Sequence, residues 1–198
     1  MGRSPESVDF IVFGLGNPGA EYARTRHNLG VMVVDALAGG SEGAFRAGAG
    51  SWVERRFTEG RRTGVLARSL LWMNRCGESA REVLDSHAVA PEDFLAVSDD
   101  LDLPLGRVRF RRDGGEGGHR GIRSVIEALG TEAFPRLRLG IGRPEVEAAR
   151  AGVVEHVLDA FREEEREAVD RTVAVAVDGV RFFLREGVDA AMNEFNAG

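Results

Sequence analysis

The stretch Phe10-Ile11-Val12-Phe13-Gly14-Leu15-Gly16-Asn17-Pro18-Gly19 constrains this chain more than any other. A short, unbroken apolar run bounded by glycines and a proline predicts a strand buried on both faces that ends in a turn. Beyond the turn come Tyr22, Arg24, Arg26, His27 and Asn28, then apolar residues at helical spacing: Leu29, Met32, Val33, Ala36 and Leu37. Strand, polar loop and helix in that order place the loop at the carboxyl end of a strand, where open α/β sheets keep their sites.

Gly14-x-Gly16-x-x-Gly19 also fits the dinucleotide fingerprint, and Asp35 falls at the distance that fingerprint asks of its acidic residue. Pro18, however, lacks the N–H that a phosphate-cradling turn presents. The residues from Val31 to Asp35 would also have to form the second strand, yet their apolar positions recur at three and four. The context argues against a nucleotide.

The remainder reads as an alternation of strands and helices. Trp52–Thr58 and Thr63–Ala67 flank Glu59-Gly60 as a hairpin, after a glycine-rich loop over 39–51. A helix is expected from about Gly77 to His87, a second buried strand at Phe94–Val97, and an alternating strand at Val108–Arg111. The loop Gly114–Gly121 opens a helix over Ile122–Leu129, and a further strand follows at Leu137–Gly142. Residues 143–156 look polar and irregular, a possible lid. A long helix over Phe161–Leu184 and a short one over Val188–Phe195 end the chain. The sum is a single three-layer α/β/α sandwich around a mixed, mainly parallel sheet. Residues 1–8 read as a disordered leader and 9–198 as one domain.

Composition narrows the partners. The net charge is −6, all 26 basic residues are arginine and lysine is absent, so any contact to phosphate falls to a planar guanidinium. An acidic total still permits a nucleic-acid ligand at a local arginine patch. One cysteine, Cys76, excludes an intramolecular disulfide and a cysteine-based metal cage. The first ten residues carry no apolar signal core and no run approaches the ~18 residues of a membrane span. A cytoplasmic, monomeric protein with no membrane attachment and no obligate protein partner is expected.

Four polar clusters lie at expected strand ends: 17–28, 72–74, 99–102 and 114–120. A histidine beside a carboxylate makes a general base whose tautomer the carboxylate fixes, and His27 with Asp99 are the natural candidates. Uncharged Asn17 and Asn74 suit hydrogen-bonding a carbonyl or its oxyanion. With no serine or cysteine in a nucleophile-elbow context, activated water is favoured over a covalent intermediate. Four histidines and one cysteine at no ligand spacing argue against a metal. The glycines of 114–121 serve equally as a flexible loop or as N–H donors to an anion. His119 is expected to pack or hydrogen-bond within its loop.

These residues resemble the bacterial-type peptidyl-tRNA hydrolase family. The likeness covers essentially the whole length and rests on Gly14-Leu15-Gly16-Asn17-Pro18-Gly19-x-x-Tyr22-x-x-Thr25-Arg26-His27-Asn28, Met73-Asn74-x-x-Gly77, Asp99-Asp100-Leu101-Asp102-Leu103-Pro104-x-Gly106 and Gly117-Gly118-His119-x-Gly121. The resemblance implies hydrolysis, without a cofactor, of the ester between a peptide and the 3′-terminal ribose of tRNA. It implies His27 as the base, Asp99 as its support and Asn17 as the contact to the peptide. It assigns Tyr22, Trp72, Met73 and Asn74 to the CCA end, Gly117, Gly118 and Arg120 to the substrate loop, and Arg111 and Arg138 to the 5′ phosphate. Arg120 departs from the asparagine common there. Some relatives are splicing factors that bind RNA without cleaving it, the alternative reading of this chain; Asn17, His27, Asn74 and Asp99 together favour the hydrolase.

Overall fold

The computed structural model describes residues 7–39, 45–144 and 150–197. Seven strands form one sheet: β1 (Ile11–Gly14), β2 (Arg46–Ala47), β3 (Trp52–Glu59), β4 (Arg62–Ser69), β5 (Phe94–Asp100), β6 (Val108–Arg111) and β7 (Arg136–Gly140). Their spatial order is β2-β3-β4-β1-β5-β7-β6. The central pairs β4–β1, β1–β5 and β5–β7 are parallel, and the outer pairs are antiparallel. The helices are α1 (Leu29–Leu37), α2 (Cys76–His87), α3 (Arg120–Leu129), α4 (Arg150–Leu158) and α5 (Arg166–Phe195).

The unbroken apolar runs are explained by helices on both faces. Phe10 and Val12 point into one cluster with Leu29, Val33, Val169 and Val180, whereas Ile11, Phe13 and Leu15 point into the other with Ala80, Val83, Ile122 and Val125. Successive strand residues alternate between two cores, so neither face tolerates a polar residue. The α/β/α sandwich expected from the pattern is the one observed.

Glycine sets one close approach that matters for the site. A Cβ on Gly30, at the start of α1, would stand 2.2 Å from the carbonyl oxygen of Val97 in β5. Only glycine lets α1 start that close to the end of β5, and the turn before it carries His27 to the strand that carries Asp99.

Several boundaries differ from the sequence reading. Residues 1–6 of the expected leader lie outside the described residues, while Val8 packs against the second core cluster. The loop over 39–51 holds the two-residue strand β2, and its residues 40–44 lie outside the described residues. Strand β5 runs on to Asp100 because β7 pairs with its polar end as far as Gly140. The stretch 143–156 is not irregular throughout: 145–149 lie outside the described residues, but 150–158 form α4. Val153, Val154, Val157 and Leu158 do recur at helical spacing, but the helix is only nine residues long and follows a polar stretch, which hid it. The two final helices are joined as α5 across Gly187, whose φ of 84° breaks the helical run where the sequence predicts the break.

Candidate active site

Strands β1 and β5 are neighbours, yet α1 leaves β1 toward one face and α2 precedes β5 on the other. Their carboxyl ends therefore open a crevice at the point where the winding reverses. A cleft of about 640 Å³ lies there. Asn17 and His27 reach it from the loop after β1, Trp72 to Asn74 from the turn before α2, and Ser98 to Asp102 from the end of β5. Asp113 to Arg120 close it from the loop before α3, and Val153, Val154, Val157 and Leu158 of α4 form the far wall.

The floor is a buried carboxylate between two histidines. His27 Nδ1 is 2.9 and 3.1 Å from the two carboxylate oxygens of Asp99, and His119 Nε2 is 3.0 Å from Oδ1. The hydrogen-bond network assigns the protons. His119 Nδ1 accepts the N–H groups of Gly121 and Ile122, capping α3, so its proton sits on Nε2 and is donated to Asp99. Burial, the largest single influence on Asp99, pushes its carboxyl upward, but the charge and hydrogen bonds of His27 and His119 outweigh it and hold the group well below the usual carboxylate range. An ionised Asp99 can only accept, so His27 donates to it from Nδ1, and in the neutral ring the lone pair is on Nε2. The ligand atoms of His27, Asp99 and His119 are close enough to invite a cation. Both histidine nitrogens facing Asp99 carry protons in this arrangement, which is poor metal-ligand chemistry.

Asn17 is fixed by its own loop. Its backbone N–H donates to Asn28 Oδ1 at 2.9 Å, Asn28 Nδ2 donates to its carbonyl at 2.9 Å, and its Oδ1 accepts the Met73 N–H at 2.8 Å. The amide Nδ2, which has no partner among the described residues, is what Asn17 offers the cleft. Asn74 is exposed at the rim. Trp72 is 51% exposed, a high value for tryptophan, and Tyr22 meets its ring edge-on at 5.5 Å. Tyr22 thus supports Trp72 and does not itself line the cleft.

Basic residues gather at the other end. Antiparallel pairing sets Arg109 opposite Arg138 and Arg111 opposite Arg136, four arginines on two strands. Like charges directly opposite repel. Arg138 is neutralised by Asp100, and Arg136 lies over the Phe134 ring with its guanidinium on the carbonyls of Gly115 and Glu132. Arg109 and Arg111 have no ion-pair partner among the described residues, and Arg111 lines the cleft. Arg120 is likewise exposed on the rim and unpaired among the described residues; Glu116, a candidate partner in the same loop, is bound by Arg123.

A sequence profile described as peptidyl-tRNA hydrolase matches residues 11–198. The chain belongs to the peptidyl-tRNA hydrolase family. The peptidyl-tRNA hydrolase of Synechococcus sp. (strain JA-3-3Ab) is 48% identical, over 98% of this chain and 86% of that protein. That of Desulforamulus reducens is 41% identical, over 94% and 88%. The crystal structure of peptidyl-tRNA hydrolase from Acinetobacter baumannii superposes with a TM-score of 0.84 at 32% identity, covering 99% of this chain and 98% of that one.

Within this family frame, the sequence-predicted residues His27, Asp99, Asn17, Trp72, Met73, Asn74, Arg111, Gly117, Gly118, Arg120 and Arg138 all border one cleft. Sequence reading missed that His119 is the second partner of Asp99 as well as a loop residue. Its position directly before a helix was the available signal, since a cap acceptor on one nitrogen leaves the other free to donate. Arg136 was missed because an arginine at the start of a strand looks like solvated surface, yet it is 4% exposed.

Proposed function

We propose that this chain hydrolyses the ester that joins a peptide, or an N-blocked amino acid, to the 3′-terminal ribose of tRNA. The observation that carries the reading is His27, whose Nδ1 is held by Asp99 at 2.9 Å at the floor of an open cleft, so that Nε2 is the ring nitrogen left for the substrate. Nε2 takes a proton from water, and the resulting hydroxide adds to the ester carbonyl. Asp99 remains ionised and stabilises the imidazolium; His119 is its second donor. The Nδ2 of Asn17 donates to the carbonyl oxygen or to the peptide beside it, and Asn74 assists from the rim. As the tetrahedral intermediate collapses, the ribose oxygen leaves with the proton returned from His27, and the peptide carboxylate is released.

The remaining residues address the rest of the substrate. An exposed indole braced by Tyr22 offers a stacking platform for the terminal base. On this reading Gly117 and Gly118 border the ribose end and Arg111 and Arg120 meet phosphate, while Arg138, engaged by Asp100, backs them. No cofactor is required for these steps.

The test is turnover of N-acetyl-aminoacyl-tRNA by purified protein and by His27→Ala. The expected result is hydrolysis by the wild type and a fall of ~10²–10⁴-fold in kcat for the variant, the range of general-base catalysis. A variant retaining more than about a tenth of the wild-type rate, outside that range, would show that another group is the base.

A further inference from the structure

His27 is preceded by an arginine that the chemistry above does not use, and Arg26 is only 5% exposed. Its Nη1 lies 3.1 to 3.4 Å from the carbonyl oxygens of His156, Asp159 and Ala160, at the carboxyl end of α4. Nη2 donates to Glu165 at 2.7 Å, and the guanidinium lies over the ring of Phe161, 5.2 Å from its centroid. The Arg26 N–H donates to the carbonyl of Asp159 at 3.1 Å, so main chain and side chain hold the same segment. Glu165 also accepts the Arg162 N–H at 2.7 Å, and α5, which starts beside it, is anchored in the core through Val169.

Helix α4 packs on the turn Arg26–Asn28, the turn that carries the base. One side of α4 borders the cleft, and beyond its carboxyl end lies a second cavity of about 460 Å³. A helix with open space on both sides is held by few contacts, and a cation at its carboxyl end is favoured by the dipole and by unsatisfied carbonyls. Arginine suits this task because one planar fork reaches several carbonyls and a carboxylate at once.

We propose that Arg26 is a positioning residue: with Glu165 it latches α4 over the cleft, so that the wall against which the substrate rests is fixed by the residue adjoining the base. The kinetic part of this proposal rests on the ester-hydrolase reading; the structural part does not.

The experiment compares wild type, Arg26→Gln, Arg26→Lys and Glu165→Gln by amide hydrogen exchange and by steady-state kinetics on N-acetyl-aminoacyl-tRNA. The expected result for Arg26→Gln is exchange at least ~10-fold faster in α4, with α2 and α3 unchanged, because local opening follows the loss of local contacts. KM should rise by about five- to tenfold with a smaller fall in kcat and an unaltered pH–rate profile, the pattern of lost substrate holding. Arg26→Lys and Glu165→Gln should show smaller changes in the same direction. Exchange that rises equally in α2, α3 and α4 would overturn the latch in favour of a general structural role. So would faster α4 exchange with unchanged KM, or an altered pH profile with unchanged α4. A wild type that fails to hydrolyse would remove the ester reading instead; the exchange arm then decides, and an unchanged α4 would overturn the latch.

Discussion

Asp99 receives N–H groups from two imidazoles with one carboxylate, and its behaviour under acid follows from that. Its folded carboxyl lies below the ordinary value of 3.8, so its contribution to stability is complete above that pH and is lost as pH falls through the folded pKa. Urea unfolding of wild type and Asp99→Asn should show a stability gap that narrows below about pH 3.8. A gap that widens there would mean the carboxylate is destabilised in the fold. Arg120 is the other residue with a prediction of its own. Arginine can donate but not accept, so a role in gripping phosphate or carbonyl survives the departure from asparagine, and one in accepting a hydrogen bond from water or the ribose hydroxyl does not. Arg120→Asn should hold kcat within roughly tenfold, about 1.4 kcal/mol of barrier. Activity appearing only in the variant would favour the RNA-binding alternative. The choice of Asp99 among three clustered aspartates was legible only from the family motif. The structure explains the other two: Asp100 accepts the Asp102 N–H in a tight turn and neutralises Arg138, while Asp102 binds Arg143.

At the scale of elements, strands β6 and β7 carry charge in two states, and the distinction changes what their arginines should do. Arg111→Ala should raise KM for full-length peptidyl-tRNA roughly tenfold, the worth of one charge-assisted hydrogen bond, and leave a short peptidyl-adenosine substrate unaffected. Arg138→Ala should damage both substrates, because it frees Asp100 immediately beside Asp99. Equal losses on both substrates for Arg111→Ala, measured as kcat/KM, would make its role structural. The strands themselves were readable: β1 and β5 are apolar runs, and β6 alternates. Helix α4 was not, because it is short, its apolar residues line a cleft wall, and it leans on the turn that carries His27 instead of on a sheet. No period in its own sequence reports that.

For the whole molecule, the two cores on either side of the sheet determine how the single thiol behaves. Burial pushes the Cys76 thiol up to about 12 from an ordinary 9.0. The folded value is the higher one, so the associated stability is present below pH 9.0 and is lost as pH rises toward 12. Native protein should resist iodoacetamide at pH 8 and react fully once unfolded in urea; modification of the native form at the unfolded rate would place the thiol at the surface. The architecture was legible in the sequence because double-sided burial keeps polar residues out of β1 and out of the first four residues of β5, Phe94–Val97. The registry that joins residues 27, 99 and 119 was not, because it depends on how strands distant in sequence pair and on how near Gly30 lies to Val97.

His119 fastens the first turn of α3 with one nitrogen and Asp99 with the other. The order of folding is constrained as a result. The parallel pairing of β1 with β5 closes a long loop, a slow event, and until α3 docks Asp99 lacks its second donor. A chain that has paired these strands but not yet seated α3 therefore holds Asp99 by one imidazole alone.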